Sequence, residues 1–196
     1  MAEEKGPQWA MATPAVVYLV GVACIGVFAL LFGLVTPAAV PVVAALLIAC
    51  GIPTMICGAI ELRRGDILFG SINMVFGGLI WFGLGFIFII ATWFQLTAGA
   101  PADLSVVGYF AAGTALLFFL FLPTVGKATW LVFLAFIVLG VGLALLAWGL
   151  LVGTPFGMFP MNVSGICFLI FGLIVIYAGT VFIVNTVYQA PKLPLP

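Results

Sequence analysis

The chain has 196 residues, of which 66% are hydrophobic and 5% are charged; its formal net charge is zero and its mean hydropathy is +1.46. A soluble domain carries about 25% charged residues, so this chain lacks the polar surface that would keep it in water. The composition predicts a multi-pass membrane protein without a second, soluble domain. It also offers no basic patch that could hold nucleic acid.

Six apolar segments are long enough to cross a membrane as helices, which takes about 20 residues each. They cover residues 14–35, 38–60, 69–95, 104–122, 129–152 and 164–188. The first segment follows two acidic residues and one lysine rather than a basic leader, so we expect it to be retained. The predicted membrane domain therefore covers residues 13–189, between cytoplasmic tails of residues 1–12 and 190–196.

The basic residues favour one orientation of these six spans. They are Lys5, Arg63, Arg64, Lys127 and Lys192. With six spans, all five lie in tails or turns on the same side, and basic residues mark the cytoplasmic side. We therefore expect three helical hairpins with both termini in the cytoplasm. The predicted location is the plasma membrane. Residues 58–66, GAIELRRGD, form the turn between the second and third spans.

Glycines recur at intervals of seven residues in most spans, as in Gly51/Gly58, Gly70/Gly77 and Gly165/Gly172/Gly179. Seven residues are about two helical turns, so each set lies on one helix face. In lipid, small residues let helices approach closely, which predicts packing stripes. A second interpretation, that some of these glycines widen a pore, stays open.

Several kinds of chemistry are missing from the chain. It has no histidine, and no acidic or basic residue lies in the middle of a span. The four cysteines are scattered through apolar segments, so we predict no disulfide, metal site or cofactor. No pairing suited to nucleophilic or general acid–base catalysis exists, so we expect no catalytic residues and no enzyme. Without an intramembrane carboxylate, a carboxylate-based proton pump is disfavoured and channel-like flux is favoured.

Neutral polar residues in the spans are the remaining candidates for contact with a permeant. We select Thr13, Tyr18, Thr54, Asn73, Tyr177 and Asn185. Each also has a structural interpretation. A threonine hydroxyl can bond back to its own helix, an asparagine can link two helices, and a tyrosine can anchor a helix at the membrane interface.

The stretch CGAIELRRGDILFGSINMVFGGLIW, residues 57–81, resembles the acetate uptake transporter family, also called the succinate–acetate permease family. The matching residues are Gly58, Glu61, Arg63, Arg64, Gly65, Phe69, Gly70 and Trp81, with Phe76-Gly77 where the family has Tyr-Gly. The last span resembles the family at Ile176, Tyr177 and Asn185. Of the family's signature in the first span, Pro14, Ala15 and Leu19 are present.

The resemblance implies a homohexameric ring of six-helix protomers in contact with membrane lipids, each with its own pore. By position, the hydrophobic constriction of the family corresponds to Val22, Phe76 and Leu139. The implied function is passage of small monocarboxylates such as acetate, with succinate as a second candidate. The alternatives are a channel for neutral amides or urea, and a membrane scaffold that transports nothing.

The charged turn has two interpretations. Glu61, Arg63 and Arg64 form a cytoplasmic mouth whose arginines concentrate carboxylate anions, or their charges pair with one another and with lipid headgroups and set the topology.

Overall fold

The computed structural model describes residues 12–99, 103–127 and 129–194. Its helices are α1 (Thr13–Leu31), α2 (Val40–Arg63), α3 (Ile67–Phe76), α4 (Leu84–Ala98), α5 (Ser105–Val125), α6 (Trp130–Leu151) and α7 (Met161–Tyr188). A π-helical turn, Gly77–Gly83, joins α3 and α4 into one span, and a short 3-10 turn, Pro37–Ala39, precedes α2. Among the described residues, six helical segments are long and apolar enough to cross a membrane, which confirms the predicted multi-pass, all-helical fold. The predicted tail of residues 1–12 lies almost wholly outside the described residues.

Local signals explain where the first span begins and ends. Pro14 stands in the first turn of α1, where a missing N–H costs no hydrogen bond. Gly33 has a φ of 82°, a left-handed conformation that glycine adopts without strain. The helix therefore ends at Leu31, four residues before the predicted limit at residue 35.

The turn between α2 and α3 is tight, and its residues have separate local tasks. Gly65 has a φ of 83°, which reverses the chain. The Asp66 carboxylate accepts the N–H of Phe69 at 3.0 Å and so caps the start of α3. The charged stretch GAIELRRGD thereby keeps the second and third spans adjacent and antiparallel.

The spans form a closed bundle around a central axis. Helix α1 packs most extensively on α7, which also packs on α6, and α6 in turn packs on α5. Helix α2 packs on α3, the π-helical turn and α4. The ring of Phe76 stacks on that of Phe118 with centroids 4.0 Å apart, which joins the third span to α5 and completes the bundle.

Glycines mark the closest helix contacts. A Cβ on Gly51 would lie 2.5 Å from the backbone nitrogen of Phe82, and one on Gly172 would lie 2.9 Å from the carbonyl oxygen of Gly21. Any larger residue would therefore force the backbones apart. At these positions the interpretation of the glycines as packing stripes is confirmed.

Candidate functional site

Two cavities lie along the axis of the bundle. The proximal cavity, nearer the α2–α3 turn, has a volume of about 100 Å³ and is lined by residues of all six spans. The distal cavity measures about 20 Å³ and has a wholly apolar wall. Helices α1 and α6 each line the proximal cavity with their first half and the distal cavity with their last turns. The two cavities thus follow one line through the protomer.

A layer of buried side chains separates the cavities. Trp81, in the π-helical turn, borders both of them. On α6, the fully buried Leu143 lies between Leu139, which lines the proximal cavity, and Leu146, which lines the distal one. A solute moving along the axis would have to displace this layer.

The proximal cavity is polar at one end and apolar elsewhere. Thr13, Thr54 and Asn73 supply the polar end, while Trp81 lies where the proximal cavity meets the distal one. The other aromatic lining residues of the proximal cavity are Phe69, Phe76, Phe118, Phe136, Phe171 and Phe182. Phe76, Phe118 and Phe136 pack against one another, with Phe76 and Phe136 centroids 5.8 Å apart. Such a wall suits a small solute that has one polar end and one apolar end.

Behind the polar end lies Glu61, whose side chain is fully buried. Its Oε1 accepts the backbone N–H groups of Ala12 at 2.8 Å and Thr13 at 3.1 Å. Its Oε2 accepts from Nη1 of Arg64 at 2.9 Å. The first N–H groups of a helix have no partner within it, so Glu61 on α2 anchors the start of α1.

A chain of hydrogen bonds connects Glu61 to the cavity wall. The Thr13 hydroxyl donates to Glu61 Oε1 at 3.2 Å. Asn73 Nδ2 donates to Thr13 Oγ1 at 3.3 Å and to Cys57 Sγ at 3.4 Å. The carboxylate therefore orders the side chains of α1 and α3 that face the cavity.

The structure brings five of the predicted site residues together. Thr13, Thr54, Asn73, Phe76 and Leu139 all line the proximal cavity. They come from four different spans, so only the tertiary fold makes them neighbours. Whether they contact a permeant stays a prediction.

Val22 does not belong to this group, and the structure corrects its predicted place in the constriction. Its side chain is 57% exposed on the outer face of α1. Leu19 and Ile25 are exposed as well, and residues at these spacings share a helix face. The inward face of α1 carries Val17 and Val20 instead.

Tyr18, Tyr177 and Asn185 also lie away from the cavity and bond to protein groups. The Tyr18 hydroxyl lies 2.8 Å from Thr180 Oγ1, between α1 and α7. The Tyr177 hydroxyl donates to the carbonyl of Pro194 at 2.7 Å. Asn185 exchanges two hydrogen bonds of 2.9 Å with the backbone of Leu193. The last two residues hold the C-terminal segment against α7.

The three residues of the predicted mouth, Glu61, Arg63 and Arg64, lie in different environments in the structure. Glu61 faces the protein interior, Arg64 pairs with it while 29% exposed, and Arg63 is exposed. The burial of Glu61 was not predicted from the sequence. The available signal was the spacing of Thr54, Cys57 and Glu61, which places all three on one face of α2.

Trp81 was not predicted as a residue of the site, although the family resemblance includes that position. Within the described ranges, no group of three or more His, Cys, Asp or Glu side chains could bind a metal ion. The four cysteines are free thiols, three of them buried.

A six-span helical bundle that encloses its own cavity defines a multi-pass integral membrane protein. Its fold matches a solved structure described as the structure of the bacterial acetate channel SatP, with a TM-score of 0.83. The match covers 96% of this chain and 99% of that chain, at 20% sequence identity. No family model matches the sequence, and a search of curated proteins finds no match. The likeness establishes a shared fold over the whole membrane domain.

Proposed function

We propose that the protein is a membrane channel that passes small monocarboxylates such as acetate, with succinate as a further candidate, through each protomer. The observation that supports this most is the proximal cavity, which has an amphipathic wall and a volume of about 100 Å³. Its position inside a fold shared with an acetate channel adds weight. The methyl group of acetate suits the phenylalanine wall, and its carboxyl group suits the end formed by Thr13, Thr54 and Asn73.

The proposed path continues from the proximal to the distal cavity. We place its constriction at Phe76 and Leu139, which line the proximal cavity, and at Trp81, which borders both cavities. An apolar constriction excludes water and ions because they lose hydration there without compensation. Small rotations of these side chains would open the path to a solute that carries an apolar group.

We also propose a homohexamer in the cell membrane, surrounded by lipid, with both termini in the cytoplasm. The orientation is supported by the positions of the basic residues. The assembly is supported by the family resemblance and by exposed apolar side chains on the outside of the protomer. Native mass spectrometry of the detergent-solubilised protein should give six times the chain mass of 20.6 kDa.

The test of the function is solute entry into proteoliposomes of the purified protein, with acetate, formate, succinate and urea in parallel. Leu139→Trp places a bulky ring in the proximal cavity and should abolish acetate entry. The matched control is Val141→Trp, on the same helix with its side chain exposed, and it should leave entry within about twofold. Equal loss in both variants would reject the path through the protomer.

A second candidate, a channel for neutral amides or urea, is favoured by one observation. Among the described residues that line the proximal cavity, none is a Lys, Arg or His. Entry of urea without acetate would establish that candidate. No protein-dependent entry of any solute would favour the scaffold that transports nothing.

A further inference from the structure

The polar end of the proximal cavity has a definite hydrogen-bonding polarity, because its hydroxyl and amide donors are already used inside the protein. The Thr54 hydroxyl donates to the carbonyl of Cys50 at 2.7 Å. The Thr13 hydroxyl donates to Glu61, since a carboxylate is a stronger acceptor than the Cys57 sulfur 3.8 Å away. Both N–H groups of the Asn73 amide are directed at Thr13 and Cys57.

Glu61 determines which way the Asn73 amide points. A carboxylate only accepts hydrogen bonds, so the single hydroxyl hydrogen of Thr13 goes to Glu61. Thr13 Oγ1 must then accept from Asn73, which requires the amide nitrogen on that side. The reverse orientation would set the Asn73 carbonyl oxygen against a hydroxyl oxygen with no hydrogen between them. The network thus turns Asn73 Oδ1 away from Thr13.

Asn73 Oδ1 is the acceptor that this arrangement leaves for a solute. Asn73 is 8% exposed and lines the proximal cavity. Within residues 12–99, 103–127 and 129–194, no group donates a hydrogen bond to this oxygen. Every buried side-chain oxygen or nitrogen in these residues has a hydrogen-bond partner, so an oxygen without one is not buried. The oxygen is therefore open to the cavity, and a solute there can donate a hydrogen bond to it.

The charges around the cavity do not favour an anion. Of the titratable groups around Glu61, Arg64 binds its far oxygen, Cys57 accepts from Asn73, and Asp66 caps α3. On the described wall, the only donor left is the uncharged indole N–H of Trp81. A carboxylate held there would lose its hydration and meet no cation, which is costly.

We propose that the proximal cavity takes the acid in its undissociated, uncharged form, with Asn73 Oδ1 accepting the acid O–H and Glu61 acting as the positioning residue that orients Asn73. This rests on the proposed function. An undissociated acid can donate its O–H to Asn73 Oδ1 and brings no charge that the uncharged wall would have to neutralise. Each acid molecule takes up its proton in the solution on one side and releases it on the other, so no side chain has to carry it.

The first test is the voltage dependence of acetate entry into proteoliposomes, with potentials set by potassium and valinomycin. A potential of about 100 mV changes the equilibrium ratio of a monovalent anion about fiftyfold but does not act on an uncharged acid. We expect protein-dependent entry to stay within about twofold across this range. Protein-free vesicles and Leu139→Trp vesicles supply the rate of acid leakage through lipid, which is subtracted.

The second test varies pH at constant total acetate. Above the pKa of the acid, entry should fall about tenfold per pH unit, because the undissociated fraction does so. Acetamide, which is uncharged throughout, should enter at a rate that does not change with pH. Entry that follows the acetate anion concentration or the imposed voltage would overturn the inference while leaving the proposed function intact.

Two variants test the named residues. Asn73→Leu removes the acceptor and should lower entry of both acetate and acetamide about five- to tenfold, the effect of one hydrogen bond. Asn162→Leu, a matched substitution outside the cavity, should change neither. In Glu61→Ala no carboxylate takes the hydroxyl hydrogen of Thr13, so Thr13 can donate to Asn73 Oδ1, Asn73 can turn its N–H groups to the cavity, and acetate entry should become voltage-dependent. Voltage-independent entry in that variant would overturn the positioning role of Glu61.

The outcomes separate the two levels of the proposal. Acetamide entry without acetate entry would reject the monocarboxylate function and uphold a cavity for uncharged solutes. Absence of both would overturn function and inference together. Strong inhibition of acetate entry by ammonium would show that Asn73 Oδ1 belongs to a cation site. That result would overturn the inference and leave the proposed function intact. Because the wild-type measurements decide the charge of the permeant, the inference stays testable even if the Glu61 variant does not fold.

Discussion

At the scale of single residues, most charged side chains of GAIELRRGD stabilise the structure through their own hydrogen bonds. Glu61 anchors α1, Arg64 pairs with Glu61, and Asp66 caps α3. Arg63 alone of the four is exposed without a hydrogen bond to another described side chain. Their concentration in one turn follows because three helix ends meet there, and helix ends have unpaired backbone groups.

We predict that Glu61→Ala lowers the free energy of unfolding by about 3 kcal/mol, because it leaves N–H groups and Arg64 unpaired in a buried site. Arg64→Gln should cost about 1 kcal/mol, because Arg64 is 29% exposed and its charge is screened by water. Unfolding in detergent, followed by circular dichroism, measures both. Similar losses for the two variants would contradict the anchoring of α1 by Glu61.

A second prediction concerns the C-terminal segment. Asn185→Leu removes both hydrogen bonds to Leu193, so limited proteolysis should cut the released tail faster. Acetate entry should stay within about twofold, since Asn185 does not line the cavity. A large loss of entry with an intact tail would restore the role in permeant contact that was predicted for this residue.

At the scale of the elements, contacts between spans depend on glycine at a few points. The backbone of α2 meets the π-helical turn at Gly51, and the same turn carries Trp81 between the cavities. A π-helical turn widens the helix locally and shifts the side chains that follow it. The close approach at Gly51 and the position of Trp81 are therefore parts of one packing arrangement.

Paired glycine variants test this arrangement. Gly51→Ala should lower the free energy of unfolding by about 1–3 kcal/mol, because the new Cβ would lie 2.5 Å from the Phe82 backbone nitrogen. Gly113→Ala, in a helix and with nothing within 4 Å of the new Cβ, should raise it by about 0.5–1 kcal/mol. Thermal unfolding of both purified variants gives the comparison. Equal behaviour of the two would show that the contact at Gly51 has no energetic weight.

At the scale of the whole molecule, the distribution of charge bears on how a solute reaches the cavity. The chain has ten charged residues among 196. In the α2–α3 turn, Glu61 and Arg64 form an ion pair and Asp66 caps α3. Little charge is left there to attract a solute. Under the proposed function, selection of the solute therefore depends on the cavity rather than on the surface potential.

Arg63→Gln tests this conclusion. An uncharged permeant is not attracted by a surface cation, so acetate entry should change by less than about twofold at low and at high salt. A loss at low salt that disappears at high salt, where such attraction is screened, would instead support the charged turn as a mouth that concentrates anions. Entry rates at two ionic strengths decide between these outcomes.

The number of spans and their approximate limits could be predicted from the sequence alone, because transfer of an apolar segment into lipid depends on its own length and composition. The positions of Lys127 and the α2–α3 arginines supported an even number of spans for a similarly local reason. Thr13, Thr54 and Asn73 were selectable because neutral polar side chains are scarce in these segments.

The rotation of each helix was decided only by the tertiary structure. A span surrounded partly by lipid and partly by protein is apolar on every face, so Val22 on the outside and Val20 on the inside of α1 look alike in the sequence. The burial of Glu61 depends on the start of α1 arriving beside the end of α2, 48 residues along the chain. The separation of the cavities by Trp81 depends on the close approach of α2 to the π-helical turn. These features arise from contacts between distant segments, and composition and spacing within one segment do not specify such contacts.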